Sequence, residues 1–178
     1  MIGVDTHVLI WGIKRASTPN RADMIPRASQ LLESLSRMAT QIMVPSLVLS
    51  EFLVKYSVDE RIEVLTEMQR RFFIAPFDGR AAAIAARLYA ESDMWKQARD
   101  ESGTSKQFIK VDISILATIE AHRPDVFYVE DEPLQNLAGK MQHFLTVPVL
   151  PLPALKPRQR SVFDLPANPG PDPGENAP

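Results

Sequence analysis

Short apolar runs alternating with helical patterns constrain this chain more than any other feature in it. Runs at 2–4, 41–44, 73–76, 126–129 and 146–150 are separated by stretches with helical spacing. Consecutive strands divided by a helix are not joined by tight hairpins. They lie parallel, with the intervening helices covering the sheet. The expected fold class is therefore α/β with a mostly parallel sheet. Helices are expected over 6–14, 26–38, 46–57, 59–71, 79–99, 107–122 and 136–142. Pro26 suits a first helical turn, Ser46 and Asp59 suit caps, and Arg123-Pro124 suits a stop. The segment 100–106, DESGTSK, reads as an exposed loop.

The 178 residues suffice for one domain with a sizeable core. That domain is expected over 1–150. Eight of the 15 prolines fall in the last 28 residues, so 151–178 reads as an extended or disordered tail that does not fold alone. Within it, SVFDLP at 161–166 offers two apolar anchors for docking. With no cysteine, disulfides and Cys-ligated metal sites are excluded. No apolar run approaches a membrane span and no secretory pattern opens the chain, so the expectation is a cytoplasmic protein without a membrane partner. The net charge of −2 excludes a strongly basic nucleic-acid footprint, leaving local patches at Lys14-Arg15, at Gln69-Arg70-Arg71, and at Lys106 with Lys110.

Four carboxylates stand where apolar residues or simple caps would be expected. On the helix 107–122, Asp112 lies in the stripe formed by Phe108, Ile109, Ile115, Leu116 and Ile119. An ionised carboxylate there needs a cation, a metal or a cavity edge; a core Arg or Lys partner is the bland alternative. Glu51 shares its helix face with Leu47, Val48, Val54 and Val58, with an i,i+4 pair to Lys55 as the alternative. Asp5 and Asp131 follow apolar strands, where ligands of open α/β sheets bind, and each is also a good helix cap. Carboxylates brought together repel unless a hard cation neutralises them, and Mg²⁺ or Mn²⁺ suits an all-oxygen set. Such ions assist phosphodiester hydrolysis. The histidines, His7, His122 and His143, show no zinc-ligand spacing.

These residues carry a resemblance. VDTHVLIW at the N-terminus resembles the first motif of the PIN-domain ribonucleases, in particular the VapC-type toxins of toxin–antitoxin pairs. VPSLVLSEFL resembles the second and supplies Glu51; KVDISILATIEAH resembles the third and supplies Asp112; VFYVEDEPLQNLA resembles the fourth and supplies Asp131. The match spans about residues 1–150. Pro133 and Leu134 depart from it, standing where a second Asp and a Phe are usual, and Glu130 and Glu132 are the neighbouring acids. The resemblance implies a PIN-like fold, a parallel five-stranded sheet flanked by helices with the acids at one end. It also implies a metal-dependent endoribonuclease acting on an RNA substrate, an antitoxin protein as partner, and a homodimer. Asp5, Glu51, Asp112 and Asp131 are then the catalytic and metal-holding residues. Thr6 is expected to orient Asp5 or a metal-held water, and Lys106 and Lys110 to touch the RNA backbone. His7 is expected not to bind metal.

Two other classes compete. RPDVFYVEDEP at 123–133 superficially resembles the phospho-acceptor strand of a signalling receiver domain, although Asp5 lacks the acidic neighbour a receiver needs there. A PIN-like binding module that has lost catalysis is compatible with the altered fourth motif.

Overall fold

In a computed structural model of the chain, residues 1–16, 20–90 and 106–155 are described. Strand β1 (Ile2–Val4) pairs in parallel with β2 (Ile42–Pro45) on one side and β4 (Val126–Tyr128) on the other. β3 (Phe73–Ala75) and β5 (Val149–Leu150) form the edges, giving the order β3-β2-β1-β4-β5 with every pairing parallel. Each expected strand is present, though β5 is two residues rather than five.

This order has a direct consequence for function. The chain builds outward through β2 and β3, then crosses to the other side of β1 to make β4 and β5. The reversal opens a crevice between the carboxyl ends of β1 and β4, where ligands of open parallel sheets bind. A receiver domain is wound 2-1-3-4-5, so the observed order removes that reading.

The helices are α1 (Thr6–Leu9), continued by a π-helical turn (Ile10–Lys14), then α2 (Met24–Arg37), α3 (Ser46–Leu53) and α4 (Val58–Arg71). They are followed by α5 (Gly79–Ala90), α6 (Lys106–His122) and α7 (Glu132–Lys140). The helix expected over 6–14 thus widens into a π turn after Leu9. A Cβ at Gly12 would come within 2.5 Å of Leu32 Cδ1 and 3.4 Å of the Ala28 backbone, so this turn lies close against α2.

Further expectations change: the N-cap of α3 is Pro45, and Ser46 is its first residue. The cap of α4 is Ser57, not Asp59: Ser57 and Glu60 form a reciprocal capping box, with the Ser57 N–H donating to Glu60 Oε2 at 2.8 Å. The last helix begins at Glu132 rather than 136 because Asp131 caps it. The helix expected over 79–99 is described to Ala90; its remainder, the loop at 100–105 and the segment 161–166 lie outside the described residues.

The core is continuous from Val4, Met43 and Phe127 on the sheet to Leu9, Phe52, Leu88, Ile113, Leu116 and Leu134 on the helices, all at most 2% exposed. Each such side chain contributes about 1.5–3 kcal/mol relative to exposure. Leu152 joins that core, although the sequence places it in the tail. Its N–H donates to Glu130 Oε1 at 2.7 Å, its carbonyl accepts from Arg27, and the Pro153 carbonyl accepts from Arg27 Nε at 3.1 Å. No described helix is long and apolar enough to cross a membrane.

Candidate active site

Asp5 is the residue immediately after β1. Its N–H donates to the Tyr128 carbonyl at 3.0 Å, which ties it to β4. It occupies the N-cap position of α1, yet its side chain makes no capping hydrogen bond. The cap explanation therefore fails for Asp5: its carboxylate is buried and committed to nothing within the helix. Beside it, His7 Nδ1 lies 3.5 Å from Asp5 Oδ2, an electrostatic contact rather than a formed hydrogen bond. The pull of Asp5 on that nitrogen, opposed by burial and reinforced by Asp131 and Glu51, raises the imidazole above its ordinary pKa. The ring also packs against Trp11, centroids 5.2 Å apart.

Glu51 comes from the middle of α3, which follows β2. Thr6 Oγ1 donates to Glu51 Oε2 at 2.6 Å, a short charge-assisted bond. The sequence offered Thr6 to Asp5 or to a metal-held water; in the structure its hydroxyl donates to Glu51. The face of α3 bearing Glu51 is also wetter than its apolar neighbours suggested. Glu51 is exposed as a residue, as is Val54; the helix expected over 46–57 ends at Leu53, so the exposed Val58 belongs to α4 instead. Its carboxylate nonetheless leans into a half-buried contact. Burial raises its pKa, the Thr6 hydroxyl opposes that, and Asp5 and Asp131 add repulsion.

Asp112, in the first half of α6, is half-buried. Burial, and then repulsion from Asp131, Glu51 and Asp5, pushes it up to about 7. Ile109, Ile115, Leu116 and Ile119 are buried around it as expected, but Phe108 is 67% exposed and does not join them. Asp131, at the end of β4, does act as a helix cap: Oδ2 accepts the Leu134 N–H at 3.0 Å. Capping does not remove Asp131 from the neighbourhood of the other acids, since Glu51, Asp112 and His7 all feel its charge.

Glu130 points elsewhere. It pairs with Arg21 Nη2 at 2.8 Å and accepts the Leu152 N–H, so it is occupied in holding the C-terminal segment and does not replace the missing second Asp. Glu132 is exposed in the first turn of α7.

Two strand ends and two helices thus bring Asp5, Glu51, Asp112 and Asp131 within mutual electrostatic reach, on the crevice between β1 and β4. Among the described salt bridges, none joins Lys or Arg to any of the four. Among the described residues, no three His, Cys, Asp or Glu side chains are already arranged to hold a metal ion. Glu51 is hydrogen-bonded to Thr6 and Asp131 to the α7 N-terminus. The donors are all carboxylate oxygens, a set that suits Mg²⁺ or Mn²⁺ rather than a softer ion. His7 is the residue that sequence reasoning set aside and the structure brings to the site; its place two residues after Asp5 on the first helical turn was the available signal.

A family model described as PIN domain matches residues 2–140. No curated protein matches the chain. Among solved structures, VapBC2 from Rickettsia felis bound to a DNA fragment from its promoter is similar in fold, with a TM-score of 0.53 and 15% identity, over 85% of this chain and 98% of that one. VapBC from Salmonella typhimurium bound to DNA gives a TM-score of 0.49 and 14% identity, over 85% and 97%.

Proposed function

The chain belongs to the PIN domain family, and from that premise we propose that it is a divalent-metal-dependent endoribonuclease, the toxin of a toxin–antitoxin pair. The observation that carries the nuclease reading is the convergence of Asp5, Glu51, Asp112 and Asp131 on the crevice at the β1/β4 switch point, with no described Lys or Arg neutralising them. The convergence fits a cation-holding role: burial, and then the charges of Asp131, Glu51 and Asp5, raise Asp112 to about 7, and a bound cation would relieve that repulsion.

Asp5, Glu51, Asp112 and Asp131 would hold Mg²⁺ or Mn²⁺, which when bound would supply an activated water and positive charge for the scissile phosphate. The chain's own groups set the stage for that chemistry. Asp5, unspent on capping, presents its carboxylate from the rigid end of the central strand. Thr6 fixes the rotamer of Glu51. The α7 N-terminus fixes one oxygen of Asp131 and leaves the other available. His7 places an imidazole, its pKa raised by the neighbouring carboxylate of Asp5, at the edge of the acids.

An antitoxin partner is supported by the fold shared with the Rickettsia felis VapBC2 toxin–antitoxin complex. A homodimer and a cytoplasmic location belong to the same reading. The test is a nuclease assay on structured and single-stranded RNA with Mn²⁺ or Mg²⁺, comparing wild type with Asp5→Asn and Asp112→Asn. Cleavage by wild type alone, abolished by a chelator, is expected. Identical behaviour of wild type and variants on every RNA removes the catalytic reading and leaves the alternative, a PIN-domain binding module without activity.

A further inference from the structure

Three of the basic residues singled out in the sequence have partners in the fold. The Lys14 ammonium donates to the Lys55 carbonyl and sits over the Tyr56 ring. Arg70 and Arg71 both pair with Glu67. Three other arginines, far apart in sequence, gather instead around one depression of about 380 Å³, lined by Arg80, Ala83, Ile84, Arg87, Glu120 and Arg123.

Arg80 and Arg87 stand two turns apart on α5, so they project from the same side of the helix. Arg123 follows the end of α6, in the left-handed conformation at φ 50°. None of the three has a carboxylate within ion-pair distance among the described residues. Arg80 acts on Asp78 only as a weak field, since Asp78 is held mainly by the Ala81 N–H. Arg87 makes one long bond to the Phe144 carbonyl, 3.4 Å.

The acid of the lining, Glu120, is buried and turned to other donors. It accepts from Thr146 N at 2.7 Å, Thr146 Oγ1 at 2.8 Å and Val147 N at 3.4 Å. Its charge is satisfied by the approach to β5 rather than by the arginines. In a chain of net charge −2, three exposed guanidinium groups sharing one concavity invite a polyanion.

We infer that the depression formed by Arg80, Arg87 and Arg123 binds phosphates of the RNA backbone outside the acid site. This rests on the nuclease reading. The depression lies roughly 12–16 Å along α6 from Asp112, taking 1.5 Å per helical residue. A strand engaged at the acids therefore reaches it only if it continues for a few nucleotides. Guanidinium groups hold phosphates bidentately and carry no base specificity at such contacts. The depression thus adds affinity and favours longer substrates without choosing the cleaved sequence.

The experiment measures binding of a single-stranded RNA of about a dozen nucleotides, and of a trinucleotide, across a salt series. The full chain carries Asp5→Asn to prevent turnover, with and without the triple substitution Arg80→Ala, Arg87→Ala and Arg123→Ala. Removing three contacts is expected to lower the slope of log affinity against log salt by about 2 for the longer RNA and to weaken it about tenfold, leaving the trinucleotide unaffected. Substituting all three with Lys keeps most of the slope, which separates charge from misfolding; thermal melting checks the fold directly. Equal slopes and affinities in the parent and the Ala variant overturn the inference. Wild-type cleavage of RNA, assayed in parallel, tests the nuclease reading separately: its absence removes that reading, while the binding series still decides the depression.

Discussion

Thr6 and Glu51 are joined by a 2.6 Å hydrogen bond across 45 positions of the chain. It links the first turn after the central strand to the helix after its neighbour, fixing the distance between the Asp5 and Glu51 backbones. Thr6→Val keeps the shape and removes the donor. It is expected to lower metal affinity by about 10–100-fold, as loss of an orienting partner does, while Thr6→Ser retains most of it. Titration calorimetry with Mn²⁺ reads the difference directly.

Asp112 gives a pH signature. Its carboxyl is raised from 3.8 to about 7 in the folded chain, so the proton is bound more tightly folded than unfolded. That contribution to stability is full below 3.8 and is lost as pH rises through about 7. The metal-free protein is therefore expected to melt lower at about pH 8 than at about pH 5, as far as this group is concerned. Asp112→Asn removes the ionisation and raises the melting temperature at about pH 8 by about 2–4 °C, while abolishing activity. Scanning calorimetry at the two pH values checks both signs.

A cation bound among the four acids stabilises the fold by mass action. At a hundredfold excess over its dissociation constant, Mn²⁺ is expected to add about 2.7 kcal/mol. Asp5→Asn should reduce that gain sharply, and a chelator should abolish it. A melting shift of equal size in wild type and Asp5→Asn places the ion elsewhere.

Glu130 is one residue from Asp131 and has a different task. Glu130→Gln weakens its pairing with Arg21 and its grip on the Leu152 N–H, and is expected to cost about 1–3 kcal/mol. Leu152→Ala is expected to cost about 2–5 kcal/mol, because Leu152 is 2% exposed. Neither substitution should change the Mn²⁺-dependent stabilisation. A lost metal response in Glu130→Gln would instead make Glu130 a ligand.

The acids were legible because each breaks a local pattern. Asp5 and Asp131 close apolar strands, and Asp112 interrupts a helical stripe that is otherwise apolar. Exposure was less legible. Phe108, Val54 and Val58 fit apolar stripes by spacing, yet they lie near helix ends or beyond the reach of the sheet and meet water. Periodicity reports which residues share a face but not whether another element covers it.

By itself, the sequence determined where most elements lie and their parallel arrangement, and it singled out the four acids as candidates, since these follow from spacing over a dozen residues or fewer. Only the tertiary structure decided the strand order that places the crevice between β1 and β4. It also decided that Thr6 serves Glu51, that Glu130 holds Leu152 while Asp131 faces the site, and that Arg80, Arg87 and Arg123 meet. Each of these is a contact between positions distant in the chain. Its partner is selected by packing and by the need to satisfy buried polar groups, and neither leaves a periodic trace in one dimension.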